Sequence, residues 1–204
     1  MHIAVAGNIG AGKTTLTGLL ANHYGWEAQF EQADENPYLA DFYEDMERWA
    51  FNLQVYFLNK RLMGIVAIKN AKHPVIQDRT IYEDACIFAA NLHAMGLMST
   101  RDYTNYRSLF DLMMSLVAPP DLIIYLKASV PTLVNQIQKR GREYEVGIRL
   151  DYLSKLNEFY TNWINGYDGG KKLIIDVDTI KFSERAEDLS LVIDKIDAEL
   201  HGLF

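Results

Sequence analysis

The 204-residue chain contains one cysteine, Cys86. No disulfide can form within it, and such cysteine usage fits a reducing compartment, so a cytoplasmic location is the expectation. Positive charge is also short: 20 Lys and Arg face 27 Asp and Glu, for a formal net charge of −7. A chain of that sign is a poor partner for polymeric nucleic acid, whose grip depends on clustered cations. Long apolar runs are missing. No window approaches the roughly 18 uninterrupted apolar residues of a membrane span. Residues 1–7 have neither the basic start nor the apolar centre of a secretory leader. With 5 prolines and 13 glycines, collagen-like composition is excluded. There is no internal repeat, no HExxH pattern, and no His/Cys spacing suited to zinc. What remains is 49% hydrophobic and 23% charged residues, an ordinary globular composition at a length that suits one domain.

Five short, β-branched-rich runs punctuate the chain at 2–6, 27–30, 74–77, 122–126 and 172–177. Ile3-Ala4-Val5-Ala6, Leu122-Ile123-Ile124-Tyr125-Leu126 and Leu173-Ile174-Ile175 are apolar without alternation, as strands read when helices cover both faces of a parallel sheet. Between them the apolar period is helical. Leu16, Leu19, Leu20 and Tyr24 share a face that closes at Gly25. A second stripe through Leu39, Phe42, Met46, Trp49, Leu53, Phe57 and Met63 predicts one long helix over 38–70. Further helices are predicted over 80–96, 103–117, 131–140, 149–164 and 184–200. Strand–helix alternation of this kind means an α/β layered fold.

The sharpest motif is Gly7-Asn8-Ile9-Gly10-Ala11-Gly12-Lys13-Thr14, continued by Thr15. It fits G-x-x-x-x-G-K-[ST], follows a strand and opens a helix. Glycines let successive backbone N–H groups turn toward phosphate oxygens, the helix adds its positive end, Lys13 adds a full charge, and the Thr14 hydroxyl can ligate Mg²⁺. The fold expectation is therefore a P-loop three-layer sandwich, a five-stranded parallel sheet between helices, in one domain spanning 1–204. Glu31 stands at the end of the second strand, where ligands bind in open α/β sheets and a carboxylate can accept a hydroxyl proton. Asp78-Arg79 ends the third strand, placing an acid for the second Mg²⁺ contact beside a cation for the phosphoryl group. Lys139-Arg140-Gly141-Arg142, around a hinge-capable glycine, suits a lid over 139–148 that closes on phosphates.

Taken together, these residues resemble the deoxynucleoside kinase family over nearly the whole chain. The resemblance rests on the Gly7 to Thr14 loop, Phe30-Glu31 with Glu35-Asn36-Pro37-Tyr38, Tyr43, Arg48-Trp49-Ala50-Phe51-Asn52-Leu53-Gln54, Asp78-Arg79-Thr80, and Arg140-Gly141-Arg142 with Glu145. It implies ATP and Mg²⁺ as cofactors and transfer of the γ-phosphoryl group to the 5′-hydroxyl of a 2′-deoxynucleoside. By this likeness Glu31 contacts the 5′-hydroxyl, while Tyr43 and Glu145 hold the 3′-hydroxyl. Gln54 pairs with the base edge, Phe88 stacks on the base, and Arg61 and Asp84 surround its exocyclic groups. Asp78 and Arg79 lie beside the reacting phosphoryl group, and the proton acceptor is Glu31 or Asp78. Residues 176–182 are where the adenine of ATP would pack. A homodimer through long helices is also implied. Gln32-Ala33 stands where relatives carry Pro-Val, Gln136 where they have a further lid arginine, and Tyr144-Glu145 where two glutamates are frequent. Two other readings share the P-loop: a thymidylate-kinase-like nucleotide kinase and a non-catalytic nucleotide-binding protein.

Overall fold

The structure is a computed structural model that describes residues 1–31, 35–142 and 148–202. Its five strands are β1 (His2–Gly7), β2 (Glu27–Gln29), β3 (Val75–Asp78), β4 (Leu122–Lys127) and β5 (Lys171–Asp176). They form one parallel sheet in the order β2-β3-β1-β4-β5. The helices are α1 (Lys13–Tyr24), α2 (Leu39–Glu44), α3 (Met46–Asn70), α4 (Ile81–Glu83), α5 (Ala90–Ala94), α6 (Thr100–Met114), α7 (Val130–Arg140), α8 (Leu150–Gly166) and α9 (Ala186–His201).

The absence of alternation in β1 and β4 follows from two cores, one on each face of the sheet. Ile3, Val5, Leu122, Ile124 and Leu126 pack with Leu16 and Leu20 of α1, Leu133 of α7, and Val192 and Ile196 of α9. Ala6, Ile123 and Tyr125 face the other way, onto Leu53 and Leu58 of α3, Leu92 of α5, and Leu156 and Tyr160 of α8. Each buried Val, Leu or Ile among them contributes about 1.5–3 kcal/mol relative to exposure. Exposing one of these strands would therefore cost both layers together.

The long helix expected over 38–70 is two helices. Asp45 leaves helical geometry (φ −140°, ψ 85°), and its side chain accepts from the Arg48 N–H, capping α3. The apolar stripe continues across the break because both helices cover the same core, so periodicity alone hid the joint. Met63, counted in that stripe, is 60% exposed. The expected helix over 80–96 contains a π-helical turn, Asp84–Ala89, between α4 and α5. The helix expected over 103–117 starts earlier, at Thr100, where the Ser99 hydroxyl accepts from the Asp102 N–H. No helix among the described residues is long and apolar enough to cross a membrane.

Candidate active site

The strand order puts the carboxyl ends of β1, β2 and β3 side by side, and each carries one element of the predicted chemistry. After β1 the glycine-rich loop turns through Gly10 (φ +83°) and Gly12 (φ +94°), backbone conformations that favour glycine. A Cβ at Gly10 would also come within 2.8 Å of the Leu133 carbonyl oxygen. Gly12 caps α1 with no side-chain hydrogen bond, so the first N–H groups of that helix are left for an anion. Asn8 braces the loop by donating to the Asn157 side chain (2.6 Å) and the Leu153 carbonyl (3.2 Å) of α8. Lys13 is buried and its ammonium donates to the Asn8 carbonyl at 3.0 Å. Burial, with Arg79 nearby, lowers its pKa to about 8. A triphosphate would favour the charged form. Phe182 is buried with its ring close over Gly12, so the segment expected to pack adenine does border this loop.

At the end of β2 the Glu31 carboxylate is gripped from two sides. It accepts from Arg61 Nη2 at 2.6 Å and from Arg79 Nε at 3.1 Å. Burial works to raise its pKa, but Arg79, Arg61 and Lys13 together hold it down at about 2. Glu31 is therefore ionised throughout the physiological range. Its folded value lies below the ordinary carboxylate value, so its stabilising contribution is complete above about pH 4.5 and is lost as pH falls from there toward 2. The stability gap between wild type and Glu31→Gln should shrink over that window in thermal melts. A constant gap would contradict this electrostatic account.

At the end of β3, Asp78 accepts from the Thr14 hydroxyl at 2.6 Å through Oδ2, while its buried Oδ1 has no partner. Burial raises the pKa of this carboxyl, with Lys13 the largest opposing influence. A hydroxyl and an orphaned carboxylate oxygen at the mouth of a phosphate loop are hard oxygen donors. They fit Mg²⁺, which takes one or two protein ligands and completes its shell with phosphate and water. Arg79 follows with φ +73°, the only non-glycine residue at positive φ among those described. Such strain persists where the surroundings over-determine it, and it gathers at functional positions. The guanidinium lies 4.7 Å above the Phe88 ring.

A cavity of about 100 Å³ joins these strand ends. Of the expected residues, Ile9, Lys13, Thr14, Glu31, Tyr43, Gln54, Arg79, Asp84, Phe88, Arg140 and Arg142 line it. Gln54 is buried on α3 with its Oε1 unpartnered. Asp84 and Phe88 both sit on the π-helical turn, a local widening frequent at functional sites. Arg61 is not on the cavity wall. It lies behind it, donating through Nε to Asp84 (3.1 Å) and through Nη1 to the Asp78 carbonyl (3.1 Å). Its reach into the cavity runs through Asp84 and Glu31. Burial raises the Asp84 pKa to about 6 against the pull of Arg61. Gly141 ends α7 in left-handed conformation between Arg140 and Arg142. Glu145, Gln32 and Ala33 lie outside the described residues.

Sequence reasoning missed several lining residues, the apolar Leu39, Phe42, Leu53 and Phe57. They obey the helical stripe that also builds the core, so their pattern does not separate the two uses. It also missed Glu83, which is fully buried below the site, although Thr80-x-x-Glu83 has the spacing of a capping box.

A phosphate loop, a hydroxyl–carboxylate pair at its mouth, and a cavity holding an acid, arginines and base-sized apolar walls define a P-loop phosphotransferase. The deoxynucleoside kinase family model matches residues 3–201. The chain is 40% identical over 202 residues to the deoxyadenosine/deoxycytidine kinase of Bacillus subtilis, covering 98% of this chain and 93% of that protein. It is 38% identical to the deoxyguanosine kinase of Lactobacillus johnsonii, covering 97% and 92% of the two chains. The solved deoxyadenosine kinase of M. mycoides, with products dCMP and a flexible dCDP bound, superimposes with a TM-score of 0.87 at 28% identity, covering 97% of this chain and all of that one. The chain belongs to the deoxynucleoside kinase family.

Proposed function

We propose that this enzyme transfers the γ-phosphoryl group of ATP to the 5′-hydroxyl of a 2′-deoxynucleoside, with deoxyadenosine the preferred acceptor. The observation that carries this reading is the shared cavity: Glu31 and Arg79 line it together with Gln54, Asp84 and Phe88, so reacting group and base would occupy one enclosure. A nucleotide kinase of the thymidylate type calls for an additional arginine for the acceptor's phosphate. Gln54 and Tyr43 instead suit a neutral base and sugar.

In this reading Lys13 and the loop N–H groups hold the triphosphate, and Thr14 and Asp78 would hold Mg²⁺. The metal would supply neutralisation of the phosphates' charge. Glu31 lines the cavity and Asp78 does not, which supports Glu31 as the acceptor of the 5′-hydroxyl proton and Asp78 as the metal's carboxylate. A carboxylate held near pKa 2 is a weak base. Phosphoryl transfer is largely dissociative, so proton transfer comes late and the carboxylate mainly aims the hydroxyl. Arg79, Arg140 and Arg142 would spread the negative charge.

Base choice turns on donors and acceptors. Ionised Asp84 accepts from an exocyclic amine and cannot donate, which suits adenine, guanine and cytosine but leaves thymine without a partner. Deoxyadenosine is expected first, then deoxyguanosine, deoxycytidine and, well behind, thymidine. Tyr43 is expected to leave no room for a 2′-hydroxyl and, with Glu145, to hold the 3′-hydroxyl. Ribonucleosides and 2′,3′-dideoxynucleosides should thus be poor acceptors, because a site built around one hydroxyl penalises its loss. Radiolabel transfer from ATP across this series gives the ranking. A thymidine kcat/KM above that of deoxyadenosine, or equal values for adenosine and deoxyadenosine, would overturn these assignments. The reading includes a cytoplasmic homodimer. Exposed Met63 and Val66 on α3 and Leu112 on α6 support helix-to-helix pairing of two copies.

A further inference from the structure

We propose that Glu83 is a positioning residue that locks Arg79 and the head of the phosphate loop into one geometry for phosphoryl transfer. The proposal rests on the kinase reading above. Glu83 is 0% exposed and is not among the residues that line the cavity. Its Oε1 accepts from the Gly7 backbone N–H (3.1 Å), from Arg79 Nη1 (3.3 Å) and from the Tyr160 hydroxyl (2.7 Å). Its Oε2 accepts from the Thr80 N–H at 2.6 Å. Three separate elements therefore meet on one carboxylate: the end of β1, the end of β3, and α8.

A glutamate in a capping box needs only the N-cap N–H, and it commonly makes that contact from the surface. Here the group is buried, at the cost of desolvation, and gathers three further donors. Two of its bonds act on Arg79 from different directions. One holds the guanidinium, which also donates from Nη1 to the Tyr160 hydroxyl at 3.0 Å. The other pins the N–H of Thr80, the peptide that directly follows the left-handed Arg79 backbone. Among the described residues, Nε is committed to Glu31 and Nη1 to Glu83 and Tyr160, which leaves Nη2 for a phosphoryl oxygen. The Gly7 bond ties that same arrangement to the strand from which the phosphate loop departs. Glutamine cannot substitute. With its oxygen at the ε1 position, its amide would present a donor to the Thr80 N–H.

The test is a double-mutant cycle in steady state with ATP and the best deoxynucleoside acceptor. Glu83→Gln should lower kcat by ~10–10²-fold and leave the nucleoside KM within about threefold, because orientation at the reacting centre is lost while the base site stays intact. In an Arg79→Ala background the same change should cost less than about twofold more, since the group it positions is gone. Tyr160→Phe removes the hydroxyl that donates to Glu83 and accepts from Arg79 but keeps the ring, so it serves if Glu83→Gln does not fold. It should lower kcat by ~3–10-fold, and again only when Arg79 is present. An active wild type with unchanged kcat in the variant that folds, or a loss of equal size in both backgrounds, overturns the positioning role. A wild type that phosphorylates no deoxynucleoside overturns the kinase reading instead.

Discussion

Glu31→Gln should bind deoxynucleoside within about tenfold of wild type yet turn over ~10²–10⁴-fold more slowly, the range for loss of the group that aims the hydroxyl and takes its proton. The change is nearly isosteric, so the cavity keeps its shape. Both carboxylate oxygens currently accept from arginines, Oε1 from Arg61 and Oε2 from Arg79. An amide can satisfy only one of them, and the other meets a donor with a donor. Single-turnover measurement of the chemical step, alongside equilibrium nucleoside binding, separates the two effects. Near-wild-type turnover here, with Asp78→Asn inactive, would move the proton to Asp78 and leave Glu31 to the substrate alone.

Loss of Arg79 should be at least as severe. Arg79→Ala is expected to lower kcat/KM by ~10³-fold or more, the scale on which an arginine at the transferring phosphoryl group matters. It would also leave Glu31 with only Arg61 and remove the cation beside fully buried Glu83, and breaking buried pairs in this way costs about 3–5 kcal/mol of stability. Arg79→Lys restores charge without the planar fork, so it should recover folding better than turnover. Melting temperature and single-turnover rate measured on the same preparations resolve these contributions. An Arg79→Ala enzyme that keeps more than about a tenth of wild-type kcat/KM would exclude the transition-state role.

How much of the site could be read from the sequence depended on how local each part is. The phosphate loop is eight consecutive residues whose glycines, lysine and threonine each answer one requirement, and they stand in the structure as the spacing predicts. Glu31 and Asp78-Arg79 were legible because a strand's end is visible in composition and its carboxyl edge is where ligands bind. The split at Asp45 and the π-helical turn were not legible. Asp45 interrupts the helix at a single residue and the π-helical turn spans only Asp84–Ala89, both shorter than the window over which apolar periodicity is read. The family resemblance places Arg61 at the base. From its position on α3 the chain could not tell that the ends of β2 and β3 would close over it and claim its guanidinium. Glu83 went unnoticed for the same reason.

The amino-acid sequence by itself therefore determined the layered α/β class, the parallel strands, the phosphate loop and the identity of the acids and arginines available for chemistry. These follow from period, composition and contiguous motifs, which are properties of neighbouring residues. Only the tertiary structure decided the order β2-β3-β1-β4-β5, which brings three distant strand ends together. It also decided which carboxylate each arginine serves. Partners such as Arg79 and Tyr160 are 81 positions apart, and Gly7 and Glu83 are 76 apart. Contacts across such separations are set by packing both faces of the sheet, and no local pattern encodes them.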